Sequence, residues 1–308
     1  MDSDSDLYLD SELDPFNGIC PFMATFDSCA DVPDAWRGTG DSSLLPVKIQ
    51  LNGMEFFDVP NASRLSTYIG YLNKTDVFSI EDLFITPETL KYLRMNSEQL
   101  LHLSPSTAIF PKFTATMRDA LFDLKRDDHD QLKGDGQPGD WRMFESSTAF
   151  AGLGLQVMLG LKMFRGLKTH KQILEYLKHT SAQFVNETIC QSTDSGGDPT
   201  EESGMFISVG ANVLRLQNNR ITGLDVTEPL SSLEERFDYL CDAIKGNRLL
   251  HRAIVVSTCD LGELLNNAGY SRLFQCAQEN KVLIDVTTTS FTSLTLFGKA
   301  THIGYALC

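Results

Sequence analysis

The chain has 308 residues, 42% of them hydrophobic, and a formal net charge of −15. That is enough apolar side chain for a full core, in one large domain or two smaller ones. The acidic balance argues against broad contact with nucleic acid, which needs clustered lysine and arginine.

The longest apolar run, AFAGLGLQVMLGL at 149–161, is shorter than the roughly 20 residues that span a bilayer. The first residues lack the basic flank and hydrophobic stretch of a secretory signal. Seven cysteines are scattered without C-x-x-C pairs. Free, buried thiols in a reducing, cytoplasmic compartment are the expectation. Neither the cysteines nor the dispersed histidines have zinc-ligand spacing, so no metal and no cofactor is expected.

Residues 1–45 carry ten acidic side chains and one basic, Arg37. They read as an acidic, largely flexible N-terminal arm. Within it, Leu7, Tyr8, Leu9 and Leu13 add apolar anchors of the kind a docking peptide uses, and Ser3 and Ser5 lie beside aspartates. The stretch PFNGICPFMATF at 15–26 holds enough aromatic surface to pack on something.

Residues 46–126 read as a helix-rich region with an N-terminal hairpin. VKIQLNGMEFFDV turns at Asn52-Gly53, a tight-turn dipeptide. Helices are expected over 63–73, from Ser79 in SIEDLF, from Thr86-Pro87-Glu88 and over 110–126. The polar stretch 127–141 reads as a loop or linker. Its DDHD at 127–130 carries no calcium-loop spacing.

Residues 142–203 read as a helical segment with a flexible end. The part at 149–167 is apolar nearly all round, as in a buried helix. The next part carries Lys162, Arg165, Lys168, Lys171 and Lys178 against Glu175 alone. These read as solvated charges on a partly buried helical pair, as a docking site for an acidic partner, including the acidic N-terminal arm of a neighbouring copy, or as an RNA backbone contact.

Residues 204–298 read as an α/β region. It has strands around Asn218-Asn219, a helix capped by Ser232 and Glu235, a strand at 253–257, a helix at 260–279 and a Thr-rich strand. The turn Ser257-Thr258-Cys259-Asp260 falls at a strand's carboxyl end, where α/β sheets bind ligands. Cys259 and Asp260 are its weak catalytic candidates. Capping of the following helix by Thr258 or Asp260 explains the same residues. Residues 299–308 end the chain in apolar side chains. They either complete the core or form an arm in which Ile303, Tyr305 and Leu307 mediate oligomerisation.

The fold class expected is α+β or mixed α/β, with a helical N-terminal and middle part, a small hairpin and a C-terminal mixed-sheet α/β layer. The function favoured is a non-enzymatic, self-associating structural or scaffold protein of the viral capsid, inclusion or replication-compartment type, working as a homo-oligomer through its terminal arms. One alternative is a single-stranded RNA-binding assembly protein using 162–178. Another is an enzyme acting on a small molecule or phosphoryl group at the 257–260 turn.

Overall fold

The structure is a computed structural model. It describes residues 20–61, 78–131, 140–181, 185–190, 213–217, 219–224, 230, 232–247, 252–258, 260–296 and 302–308, with positions 64, 65, 67 and 70. Among the described residues the chain forms a mixed α/β fold of three sheets and eight α-helices.

The first sheet is built from β1 (Cys20–Asp27), β2 (Ser42–Leu45), β6 (Ser97–Ser104) and β7 (Asp140–Glu145). Its order is β2-β1-β6-β7, with every pair parallel. Parallel strands buried on both faces read as continuous apolar runs rather than alternating ones. FMATF in β1 and LLHL in β6 fit that description and are fully buried.

A second, antiparallel sheet holds β3 (Val47–Leu51), β4 (Met54–Asp58) and β5 (Phe78–Leu83) in the order β4-β3-β5. The β3–β4 turn places both Asn52 and Gly53 at positive φ, as the dipeptide predicts. Helix α1 (Pro87–Asn96) starts at its expected cap, with the Thr89 N–H donating to Thr86 Oγ1 at 3.1 Å. Helix α2 (Pro111–Gln131) leads from β6 towards β7.

The third sheet comprises β8 (Val185–Cys190), β9 (Val213–Gln217), β10 (Arg220–Leu224), β11 (Ala253–Thr258), β12 (Leu283–Thr288) and β13 (His302–Leu307). Its order is β10-β9-β8-β13-β11-β12. Strands β11 and β12 are parallel, joined through α6 (Leu261–Asn266) and α7 (Ala268–Glu279). The other neighbours are antiparallel. Helix α5 (Leu233–Gly246) carries the predicted capping box between Ser232 and Glu235. Helices α5 and α7 cover one face of this sheet, packing Phe237, Leu240 and Leu273 on Ile254 and Val256. The remaining helices are α4 (His170–Ser181) and α8 (Phe291–Leu296).

Helix α3 (Ala151–Arg165) joins the two halves. Every residue from Ala151 to Leu161 is buried. Its side chains share one apolar cluster with Phe26 and Leu103 of the first sheet and Val255 and Ala306 of the third. A helix apolar on all sides needs a neighbour on each, and the two sheets supply them. Gly154 permits the closest approach: a Cβ there would stand 2.2 Å from the Asp31 carbonyl oxygen.

Several sequence expectations are revised. The N-terminal part is not mainly helical; it contributes two of the three sheets. Residues 20–45, expected in a flexible arm, supply β1 at the centre of a sheet and β2 beside it. The stretch after Phe78 is strand, not helix, and β6 follows α1 without a break. The expected loop at 127–141 is helical to Gln131 and strand from Asp140. The long helical segment ends at Ser181, and β8 follows as a strand. The Thr-rich strand stops at Thr288, before α8.

The C-terminal residues are not an arm. Strand β13 lies between β8 and β11, inside the six-stranded sheet. Its alternation explains the apolar ending: Ile303, Tyr305 and Leu307 face the α5–α7 layer, while Ala306 and Cys308 face α3. The Tyr305 hydroxyl also donates to Glu187, a buried carboxylate that accepts from Arg215 and Tyr239. The expected helix at 63–73 falls largely outside the described residues, as do the acidic segment 1–19 and the linker 192–204.

Gly154→Ala is expected to lower the unfolding free energy by about 1–3 kcal/mol, the cost of overpacking a filled core. Urea denaturation measures it, and an unchanged midpoint contradicts the packing of Asp31 on α3.

Candidate ligand-binding site

The carboxyl ends of β1, β6 and β7 share one edge because the strands are parallel. Each ends in small polar residues: Asp27-Ser28-Cys29, Ser104 to Ser106, and Ser146 to Thr148. The carboxyl ends of β11 and β12 meet them from the other half. Thr289 Oγ1 donates to Asp31 Oδ1 at 3.1 Å, and Thr287 Oγ1 donates to the Val32 carbonyl at 3.2 Å. The result is a buried polar seam between the halves, where α/β sheets place their ligands.

Three aspartates line the seam, each fully buried or nearly so: Asp27, Asp31 and Asp58. Asp27 Oδ1 accepts from the Cys29 N–H at 2.7 Å; its Oδ2 has no hydrogen-bond partner among the described residues. Asp58, at the end of β4, accepts from the Phe291 and Thr292 N–H groups at 3.1 and 2.7 Å. It thereby ties the hairpin sheet to the first turn of α8. Burial pushes the carboxyl of Asp27 up to about 7, with the Asp58 charge adding to it. Burial likewise raises Asp31 and Asp58 to about 6. Burial, reinforced by Asp27, also holds the Cys29 thiol well above its usual range, so it stays protonated.

The rest of the seam is hydroxyl and amide. Ser146 Oγ donates to Gln156 Oε1 at 2.6 Å, and Ser106 Oγ to Asn219 Oδ1 at 2.8 Å. Asn186 Nδ2 donates to the Ala149 carbonyl at 3.0 Å. Behind them, burial lowers His102 to about 3, a neutral imidazole whose Nδ1 pairs with Thr25 Oγ1 at 3.0 Å. Helices α2 and α3 start at this edge, so their positive dipole ends point towards it. The residue before α3, Phe150, sits at φ 57 and is buried. It is held there by the loop after β1: its N–H donates to the Cys29 carbonyl at 2.6 Å, and its carbonyl accepts from Asp31 at 3.1 Å. Such strain persists where the surroundings over-determine it, often beside a ligand.

The seam borders an apolar cluster beneath the hairpin sheet. Cys29, Ala149, Phe150 and Phe291 belong to that cluster, together with Ile109, Phe110 and Phe113. Phe291 comes from the opposite half and packs edge-on against Phe56 at 5.3 Å.

The residues singled out from the sequence fall in three places. Ser257 and Thr258 are buried at the end of β11, and the Thr258 carbonyl accepts from the Thr289 N–H at 2.9 Å, so the turn borders the seam. Asp260 is exposed and caps α6, accepting from the Glu263 N–H at 2.8 Å. Cys259 lies outside the described residues. Lys162 and Arg165 lie in the last turn of α3, Lys168 in the following turn, and Lys171 and Lys178 in the first and last turns of α4. Ile303, Tyr305 and Leu307 are interior. The aspartates and the loop after β1 escaped the sequence reading. A signal existed: ATFDSC, LHLSPST, MFESST, IVVST and IDVTTTS are apolar runs that each close in Asp, Ser or Thr. Among the described residues, no group of three or more His, Cys, Asp or Glu is arranged to hold a metal ion. No described helix is long and apolar enough to cross a membrane.

The sequence matches no protein-family model and no curated protein. The fold, however, is similar to several solved structures. A DegV lipid-binding protein from Thermotoga maritima shares 14% identity at a TM-score of 0.67, over 94% of this chain and 98% of that one. The fatty acid kinase B3 protein of Streptococcus pneumoniae, loaded with linoleic acid, shares 11% at 0.68, over 94% and 99%. DegV of Bacillus subtilis, described as a fatty acid-binding protein, shares 12% at 0.64, over 94% and 99%. The chain has a DegV-like fold.

This fold overturns the expectation of a self-assembling structural or scaffold protein of the viral type. The structures it resembles nearly end to end are described as binding lipid or fatty acid. The segment meant to drive assembly is a central strand.

The raised aspartates set a pH dependence. Their folded pKa values lie above the ordinary 3.8. The folded state therefore holds protons that the unfolded state releases, and stability falls as pH rises from about 4 to about 7. The unfolding free energy is expected to be larger at pH 5 than at pH 7.5. Asp27→Asn should shrink that difference by a few kcal/mol, because a tenfold change in proton affinity is worth about 1.4 kcal/mol. An equal difference in both proteins, measured by urea denaturation, contradicts a buried, proton-holding Asp27.

Proposed function

We propose that the protein binds a long-chain fatty acid and presents its carboxyl group for phosphorylation by a separate kinase. The observation that carries this reading is the DegV-like fold over 94% of the chain, shared with proteins described as binding or loaded with fatty acids. The kinase rests on one of these, described as a fatty acid kinase B3 protein.

The two surfaces at the seam support the same reading. The acyl chain takes the apolar cluster bordered by Phe110, Phe113, Phe150 and Phe291. Burying it contributes about 0.8 kcal/mol per methylene, so a chain of about sixteen carbons supplies on the order of 10 kcal/mol. That offsets the cost of association, and the polar seam is left to orient the head rather than to supply affinity. Three ionised aspartates would repel a carboxylate. Asp27, with its carboxyl raised to about 7 and its Oδ2 without a hydrogen-bond partner among the described residues, instead donates a hydrogen bond in its protonated form. The seam hydroxyls and the dipole ends of α2 and α3 complete the head-group environment. Phosphoryl transfer to the carboxylate oxygen is then the partner's chemistry; this chain holds the acceptor and excludes water from its tail.

Displacement of a fluorescent fatty acid tests this. Palmitate or oleate is expected to displace the probe at one site per chain with micromolar or tighter Kd, and butyrate is not. Failure of both long-chain acids overturns the reading. Because Asp27 must keep its proton, affinity for palmitate is expected to weaken several-fold from pH 6 to pH 8. Asp27→Asn, which keeps a donor, should flatten that profile; a wild-type affinity constant across this range contradicts the role of Asp27.

A further inference from the structure

Arg165 ends α3, about 22 Å along the helix from the seam at about 1.5 Å per residue. The basic residues gather at an elbow. Helix α3 stops at Arg165, the chain turns through Gly166 and Leu167, and α4 begins at His170. Leu167 sits at φ 57 and is 91% exposed. Lys162, Lys168, Lys171 and Lys178 are all exposed around this turn and along α4. Among the described residues Lys171 has one counter-charge at the limit of contact, Glu175 at 4.0 Å. An exposed leucine thus lies among four exposed lysines, with Asp41, Asp140 and Glu175 as the acids paired beside them, on a chain of net charge −15; such a surface suits an acidic segment with apolar side chains.

We propose that this elbow is the docking site for residues 1–14 of the same chain. Those residues hold six carboxylates (Asp2, Asp4, Asp6, Asp10, Glu12, Asp14) and no basic side chain, with Leu7, Tyr8, Leu9 and Leu13 among them. The attachment point is already at the elbow. Strand β1 begins at Cys20, and the ring of Phe22 stacks on Phe164 of α3 at 3.4 Å and lies 5.4 Å from the ring of His170. Asp14 is six residues before Cys20, so the nearest carboxylate reaches up to about 20 Å from it and the rest extend further. The face has a precedent for such contacts. Arg165 holds Asp41 through Nε at 2.8 Å and a second nitrogen at 3.1 Å, while its guanidinium lies 5.0 Å from the centre of the Trp36 ring. Tethering gives the segment an effective concentration of about millimolar at the elbow, which a second copy does not match at micromolar protein. Surface pairs of this kind are individually weak and screened by salt, so the contact is reversible and ionic-strength dependent.

Zero-length carbodiimide cross-linking of the full chain tests the proposal. The reagent joins a carboxylate to an amine with loss of water, so it reports direct pairs. An equimolar mixture of unlabelled and nitrogen-15 chains separates links within a chain from links between chains. The expected result is same-chain links from carboxylates 2–14 to Lys162, Lys168 or Lys171. Their yield should fall at least fivefold in 0.5 M salt and in the combined variant Asp10→Asn, Glu12→Gln, Asp14→Asn. Links from this segment to lysines elsewhere, links only between differently labelled chains, or no links while other exposed lysines react, each overturn it. The readout is independent of fatty acid binding.

Discussion

A helix without a polar face must be enclosed, and α3 imposes that constraint on the rest of the molecule. Eleven consecutive residues of it are buried. One sheet covers one side and a second sheet the other, so neither half completes its core without the same helix. The helix starts at the carboxyl edge of the first sheet, which brings the loop after β1 down onto it. Gly154 removes the side chain that would block the loop, and Phe150 accepts a positive φ so that the loop and helix exchange backbone hydrogen bonds.

Enclosing α3 brings the carboxyl edges of the parallel strands of both sheets into one interior. Buried polar groups there must be paired or neutral. Many of the hydroxyls and amides are paired across the seam, some over long stretches of chain, as between Asp31 and Thr289, although Asn186 Oδ1 has no partner among the described residues. The aspartates meet the same requirement differently: burial raises Asp27 to about 7 and Asp31 and Asp58 to about 6, so they hold protons well above the ordinary carboxylate range. A polar interior that costs stability as pH rises is poorly explained by stability alone. The proposed head-group site gives that interior a second reason to persist.

How much of this was legible in the sequence depended on range. Local chemistry was readable. The Asn52-Gly53 turn, the Thr86 cap, the Ser232–Glu235 box, the buried strand at 253–256 and the all-round apolar α3 each declare themselves within a few residues. Strands β1 and β6 did not, because FMATF and LLHL are buried on both faces and lack the alternation that marks a strand. The ending at 302–308 does alternate, but its partners β8 and β11 come from distant parts of the chain, so an interior strand and a protruding arm look the same in sequence. The seam was the least visible feature. Asp27, Asp58 and the residues after β12 meet only in the folded chain, and each has an ordinary turn or capping role when viewed alone. The turn at 257–260 shows its position at a strand's carboxyl end because a helix and a further strand follow it in sequence. The four other apolar runs end the same way, and each reads alone as an ordinary turn.

The central claim is that the head of a fatty acid lies in the seam and its tail beneath the hairpin sheet. A crystal structure of the protein loaded with palmitate or oleate tests it most directly. The account predicts the carboxyl group within hydrogen-bond reach of Asp27 or the seam hydroxyls, and the acyl chain between Phe110, Phe113, Phe150 and Phe291. A fatty acid bound elsewhere, or lying with its carboxyl group away from the seam, contradicts it.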